Sequence, residues 1–145
     1  MSIISRIIVG TDGSEPATRA VEWAAALAAQ LGAEVVAVHV FTIDPAKLPG
    51  GYAVLPEAEW NRLRENSRKL LNGEWSEPLS RSGIPFRTAL EAGSPAGALI
   101  EAARRENADL IVVGNRGRGG FRELLGHHLT HYSPVPVTIV PAQQA

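Results

Sequence analysis

Three stretches of this chain are apolar at consecutive positions where a half-wet strand would alternate: Ile7-Ile8-Val9, Val35 to Val38 within EVVAVHV, and Leu110 to Val113. A strand with one solvated face places a polar residue at every second position, so a run without polar members must be covered on both faces. The runs are too short for helices and rich in β-branched side chains. Between them lie longer stretches whose apolar residues recur at helical spacing, Ala17, Ala20, Val21, Ala24, Leu27, Ala28 and Leu31 in the first, Ala96, Leu99, Ile100 and Ala103 in a later one. The resulting order, β-α-β-loop-α-β-α-β-α-β, predicts an α/β fold with a doubly wound parallel sheet, helices on both faces and right-handed crossovers. At 145 residues with no linker or repeat, residues 1–145 form one domain with room for a sizeable core.

Local signals set the boundaries. The first strand, Ile3 to Val9, stops at Gly10; Thr11-Asp12-Gly13-Ser14 is a turn in which Ser14 or Asp12 can cap the helix that Pro16 enters and Gly32 closes. Thr42 to Pro56 is rich in turn residues and reads as a long loop. Glu57 to Arg81 is broadly helical, with Trp60, Leu63, Leu70 and Leu71 toward the core and a break near Glu74 caused by Gly73 and Pro78. Pro85 to Glu91 alternates, the mark of an edge strand. Ser94 and Pro95 begin the next helix as cap and first residue.

Chemistry is concentrated after the strand Leu110 to Val113. Gly114, Gly117, Gly119 and Gly120 follow with Arg116, Arg118 and Arg122 between them, and a helix is expected next. Glycines let a ligand approach backbone N–H groups, and a helix start presents unpaired donors and a positive dipole end, so the expected guest is an anion. In a sheet of this kind ligands bind beyond the carboxyl ends of the strands where strand order reverses. If the first and fourth strands are neighbours, Thr11 to Ser14 and Gly114 to Gly120 face one crevice. Neither the P-loop pattern nor G-x-G-x-x-G is present, the latter failing where Arg122 takes the final position. No nucleophile, paired carboxylates or Ser-His-Asp order can be assigned, so no catalytic residue is named. His39 reads as a strand histidine with a backbone or water partner, and His127 and His131, four apart with His128 beside them, lack a third ligand, so no metal site is expected.

The segments IIVGTDGSEPATRAVEWAAALAAQLGAEVVAVHV, EAGSPAGALIEAARRENADLIVVGNRGRGGF and SPVPVTIV together resemble the universal stress protein family over nearly the whole chain. That resemblance implies strand order 3-2-1-4-5, a homodimer made through the last strand, here Val137 to Val140, and in one branch an ATP or AMP site. The branch's pattern is glycine, two residues, glycine, nine residues, glycine, then serine or threonine. Gly114 and Gly117 match its start. Asp12, with Thr11 and Gly13 in the same turn, resembles the nucleoside-contacting aspartate, Val40 sits where the second strand lines the adenine pocket, and Arg116 lies between the two glycines. The end departs from the pattern. Only eight residues separate Gly117 from Gly126, and His127 stands at the hydroxyl position; an alignment that removes four residues after Leu125 displaces Gly126 from the third-glycine position altogether. Such a deletion turns the following helix by about 40°, which keeps Leu129 and Tyr132 facing the core.

The resemblance thus implies a stress-response regulator with an adenine-nucleotide site whose phosphate loop is shortened, or alternatively a nucleotide-free dimeric interaction module of the other branch. At most slow ATP hydrolysis is expected of it. A formal net charge of -1 argues against nucleic acid or anionic membrane as partner. The absence of cysteine, of a signal-like start and of a long apolar run leads to the expectation of a cytoplasmic protein.

Overall fold

In the computed structural model, which describes residues 3–41, 56–115 and 128–141, five strands form one parallel sheet in the order β3-β2-β1-β4-β5. The elements are β1 (Arg6–Gly10), α1 (Glu15–Leu31), β2 (Glu34–Phe41), α2 (Glu57–Asn72), a 3-10 turn (Glu74–Ser76), α3 (Glu77–Ser82), β3 (Phe86–Ala92), α4 (Pro95–Arg105), β4 (Leu110–Gly114) and β5 (Val137–Val140), with residues 128–132 helical before the last strand. The loop expected over residues 42–55 and the glycine-rich stretch over residues 116–127 lie outside the described residues.

The unbroken apolar runs are explained by two cores. Ile7, Val9, Val35, Ala37, Leu110 and Val112 face α1 and α3, whereas Ile8, Val36, Val38, Ile111 and Val113 face α4 and Leu129. β1 is central, aligned Ile8 to Val36 on one side and Ile8 to Ile111 on the other, so it has no wet face or free edge. β3 is an edge strand, as its alternation predicts. α1 begins at Ser14, whose Oγ accepts from the Ala17 N–H at 3.3 Å, and ends at Gly32 in the left-handed conformation, φ 66°. Ser94 occupies the N-cap position of α4 but its side chain makes no capping bond.

The predicted break falls where expected. α2 stops at Asn72; Gly73, at φ -113° and ψ -101°, leads into the 3-10 turn, and the buried Ser76 Oγ donates to the Leu71 carbonyl at 2.5 Å. Leu71 is buried, while Trp60, Leu63 and Leu70 are half-buried. One placement differs from expectation: Leu129 is fully buried, but Tyr132 is 59% exposed. Three residues advance a helix by about 300°, so Tyr132 lies off the Leu129 stripe, and its ring rests against His128 and His131 at 4.8 and 4.7 Å.

At the amino ends of the strands charge replaces hydrocarbon. Asp109 Oδ2 accepts from the backbone N–H of Ser5 and Arg6 at 2.8 and 3.1 Å. Arg6 pairs with Glu34, its cross-strand neighbour, and donates to the Glu106 carbonyl. Arg87 pairs with Glu106, and that guanidinium, aided by Arg105 and Arg6 nearby, holds the Glu106 carboxyl below the usual carboxylate range.

Candidate functional site

β1 pairs with β2 on one side and β4 on the other, so strand order reverses between β1 and β4 and a crevice opens beyond their carboxyl ends. The condition set by the sequence argument is met: the Thr11–Ser14 turn follows β1, and Gly114 ends the adjoining strand. The chain turns here because glycine permits it. Gly13 has φ +78°, a backbone conformation that side chains with a Cβ rarely adopt.

The turn is tied down at almost every polar atom. The Thr11 N–H donates to the Val38 carbonyl at 2.9 Å, extending the β1–β2 ladder, and Thr11 itself is buried. Its Oγ1 accepts from the Gly13 N–H at 3.2 Å, and Asp12 Oδ1 accepts from the Ser14 N–H at 2.9 Å. His39 Nδ1 lies 2.9 Å from the Thr11 carbonyl. A carbonyl can only accept, so Nδ1 carries the proton in this contact. Beyond the ring, Trp75 meets His39 edge to face at 5.0 Å, and its indole covers Gly13 so closely that a Cβ built there would overlap Cε2 and Nε1.

Of the residues singled out from the sequence, Thr11, Asp12 and Gly13 share this turn, Val40 stands near the end of β2, and Gly114 ends β4. Arg116, Gly117, Gly126 and His127 lie outside the described residues. Gly114 has a packing reason as well: a Cβ there would sit 2.6 Å from the Pro16 carbonyl oxygen and 2.8 Å from its carbon. Its missing side chain lets the first turn of α1 close onto the end of β4. Among the described residues no three His, Cys, Asp or Glu side chains gather in a way that could hold a metal ion.

Three residues at this end of the sheet escape sequence reasoning. Trp75 arrives from far along the chain, and no local pattern links it to Gly13. His39 reads as an ordinary strand residue, because its role depends on a carbonyl in another strand's turn. Asn115 follows Gly114; its N–H donates to the Val140 carbonyl at 3.1 Å, while its Oδ1 is buried with no hydrogen-bond partner among the described residues. An orphaned buried acceptor costs about 1–3 kcal/mol, so it marks a place where a donor is wanted.

The sequence profile described as the universal stress protein family matches residues 4–141. A universal stress protein of Thermus aquaticus is 35% identical over 139 residues, covering 92% of this chain and 96% of its own. A solved structure of a member of the same family from Burkholderia pseudomallei superposes with a TM-score of 0.75 at 30% identity, covering 98% of this chain and 99% of its own. Another, a universal stress protein in complex with cAMP, gives a TM-score of 0.71 at 26% identity, with 96% and 98% covered. With its whole sheet, its site-forming turn and nearly all its length matched, this chain belongs to the universal stress protein family.

Proposed function

We propose that the protein is a stress-response regulator that binds an adenine nucleotide in the crevice between β1 and β4, acting as a ligand-dependent module with at most slow hydrolysis. The observation that carries this reading is the adjacency of β1 and β4, which brings the Asp12 turn and Gly114–Asn115 to one crevice. The similar universal stress protein that holds cAMP supports it. Asp12 and Val40 take the nucleoside, with Thr11 and Gly13 shaping the turn. The phosphates lie toward Gly114, Arg116 and Gly117, with Gly126 and His127 at the shortened far end of the loop. A cradle lacking a glycine turn and a hydroxyl forgoes about two charge-assisted hydrogen bonds, each worth about 1.5–3 kcal/mol, so the extra phosphates of ATP bring little and AMP binds nearly as well.

Calorimetric titration with ATP and AMP tests this. Dissociation constants for the two nucleotides should agree within about tenfold, and Asp12→Ala should weaken both alike. Absence of binding by either nucleotide at millimolar concentration would remove the reading. A nucleotide-free interaction module is then the remaining function, favoured by His127 at the position where the nucleotide-binding pattern has a hydroxyl.

We further propose that the protein works in the cytoplasm as a homodimer joined through Val137–Val140. β5 is a sheet edge whose four residues carry no charge, and Ile139 is 41% exposed. Edges of that kind are ready templates for strand pairing.

A further inference from the structure

We infer that Trp75 is a positioning residue of the nucleotide site: its indole, braced by His39, holds the Thr11–Gly13 turn in the shape that presents Asp12 to the ligand. The inference rests on the nucleotide reading above and goes beyond it by assigning the site's geometry to a residue in the break between α2 and α3.

The contact is built from several elements at once. Gly73 ends α2, and the Ser76 Oγ bond to the Leu71 carbonyl fixes the 3-10 turn, which places residue 75 against the core on the α1 side of the sheet. There the indole lies on Gly13, with Cζ2 2.7 Å from where a Cβ would sit. Glycine is thus required twice at position 13, by its φ of +78° and by the indole. The same indole meets the His39 ring edge to face, and that ring is bonded to the Thr11 carbonyl. The turn's first and third residues are therefore held from the β2 side, and Asp12 lies between them. Its own bonds, Gly13 N–H to Thr11 Oγ1 and Ser14 N–H to Asp12 Oδ1, are local and would persist in more than one orientation of the turn. The indole and imidazole supply the long-range constraint that selects one. A binding group held by packing before the ligand arrives loses less freedom on binding, which is how a residue outside the contact shell alters affinity.

The sequence holds three tryptophans, Trp23, Trp60 and Trp75, so Trp23→Phe with Trp60→Phe leaves Trp75 as sole emitter. Titrating that full-length protein with AMP should change Trp75 emission saturably, at the concentration where calorimetry reports binding. Trp75→Phe, which keeps a ring over Gly13, should bind AMP within about threefold of wild type, and Trp75→Ala should bind at least tenfold more weakly. Val36→Ala, a core variant on the opposite face of β2, serves as the control for lost stability and should stay within threefold. Flat Trp75 emission while calorimetry registers AMP binding, undiminished AMP affinity in Trp75→Ala, or an equal loss in Val36→Ala would overturn the positioning role and leave the nucleotide site standing. Should Trp75→Ala fail to fold, the emission titration decides alone. Failure of the wild type to bind AMP at all would remove the nucleotide reading and this inference together.

Discussion

Adding one methyl group at the end of β4 should disturb this protein far more than adding the same group at the end of β1. Gly114→Ala puts a Cβ 2.6 Å from the Pro16 carbonyl oxygen and 2.8 Å from its carbon, and both are backbone atoms in the first turn of α1. Ordinary carbon–oxygen contacts are roughly 0.6 Å longer, so α1 must lift at its amino end or β4 must shift. Overpacking of this kind costs about 1–3 kcal/mol. Gly10→Ala meets Leu99 Cδ1 at 3.2 Å and Val113 Cγ1 at 3.4 Å, the ends of side chains that can give by a few tenths of an ångström, and should cost under about 1 kcal/mol. With an unfolding entropy of about 2.1 cal/mol/K per residue, a chain of 145 residues has about 0.3 kcal/mol/K. A 2 kcal/mol loss then lowers Tm by about 7 °C for Gly114→Ala, against about 3 °C or less for Gly10→Ala. Differential scanning calorimetry of the two variants and wild type reads the difference directly. Equal Tm shifts for the two, or a Gly114→Ala protein as stable as wild type, would refute the claim that Gly114 is glycine because the α1 backbone approaches it.

Three further outcomes follow from other parts of the molecule. Ile139→Lys places a charge on the bare β5 edge and should convert a species of twice 15.4 kDa into one of 15.4 kDa in sedimentation at micromolar concentration; a wild type already monomeric, or a dimer untouched by the lysine, counts against pairing there. Glu106→Gln removes a carboxyl whose pKa Arg87 depresses in the folded state. Stability from such a group is full above its unfolded pKa of about 4.3 and drains away as pH falls through the lower folded value, so the variant should lose about 1 kcal/mol at pH 7 and show a flatter acid limb in pH-dependent denaturation. An acid limb as steep as that of wild type would show that the pair does not drive it. Inserting Leu-Gly-Ser-Val after Leu125 adds one helical turn and restores the family's spacing and hydroxyl; regaining two charge-assisted bonds should raise ATP affinity by about 3 kcal/mol, roughly a hundredfold, with a smaller gain for AMP. A folded insertion variant with no gain would show that the missing turn does not govern the site.

What the sequence made legible is what depends on periodicity and local chemistry. The apolar runs of β1, β2 and β4 announce burial on two faces because every position in them meets a helix, and Ser14, Gly32 and Gly73 mark helix ends by mechanisms confined to a few residues. The alternation of β3 identifies an edge for the same reason. Contacts between distant segments left no such trace. Trp75 looks like one more apolar residue near a helix break until Gly13 is found beneath it, and Gly114, legible as part of a glycine-rich anion loop, proves also to be the place where α1 closes on β4. Tyr132 was expected inward because a four-residue deletion preserves a helical stripe; the structure keeps Leu129 on that stripe and leaves the phenol wet against two histidines. Ser94 has the residue type and position of a cap without the bond, since residue type states a capacity that local geometry must still realise.

The two margins of the sheet are not alike, and the difference fixes how far an assembly could grow. Along β3, Arg87 is engaged with Glu106 and Glu91 with Arg105 at 2.5 Å, so an incoming strand would have to part ion pairs to dock. Along β5 there is only Val-Thr-Ile-Val. In the vocabulary of polymer chemistry such a subunit has a functionality of one: it can couple, but it cannot propagate. If β5 joins to β5 of a second copy, the ten-stranded product presents a β3 margin at each end and the reaction has terminated. The same hydrocarbon placed on both margins would turn the subunit into a monomer for fibre growth, so the charges on β3 serve as a chain stopper.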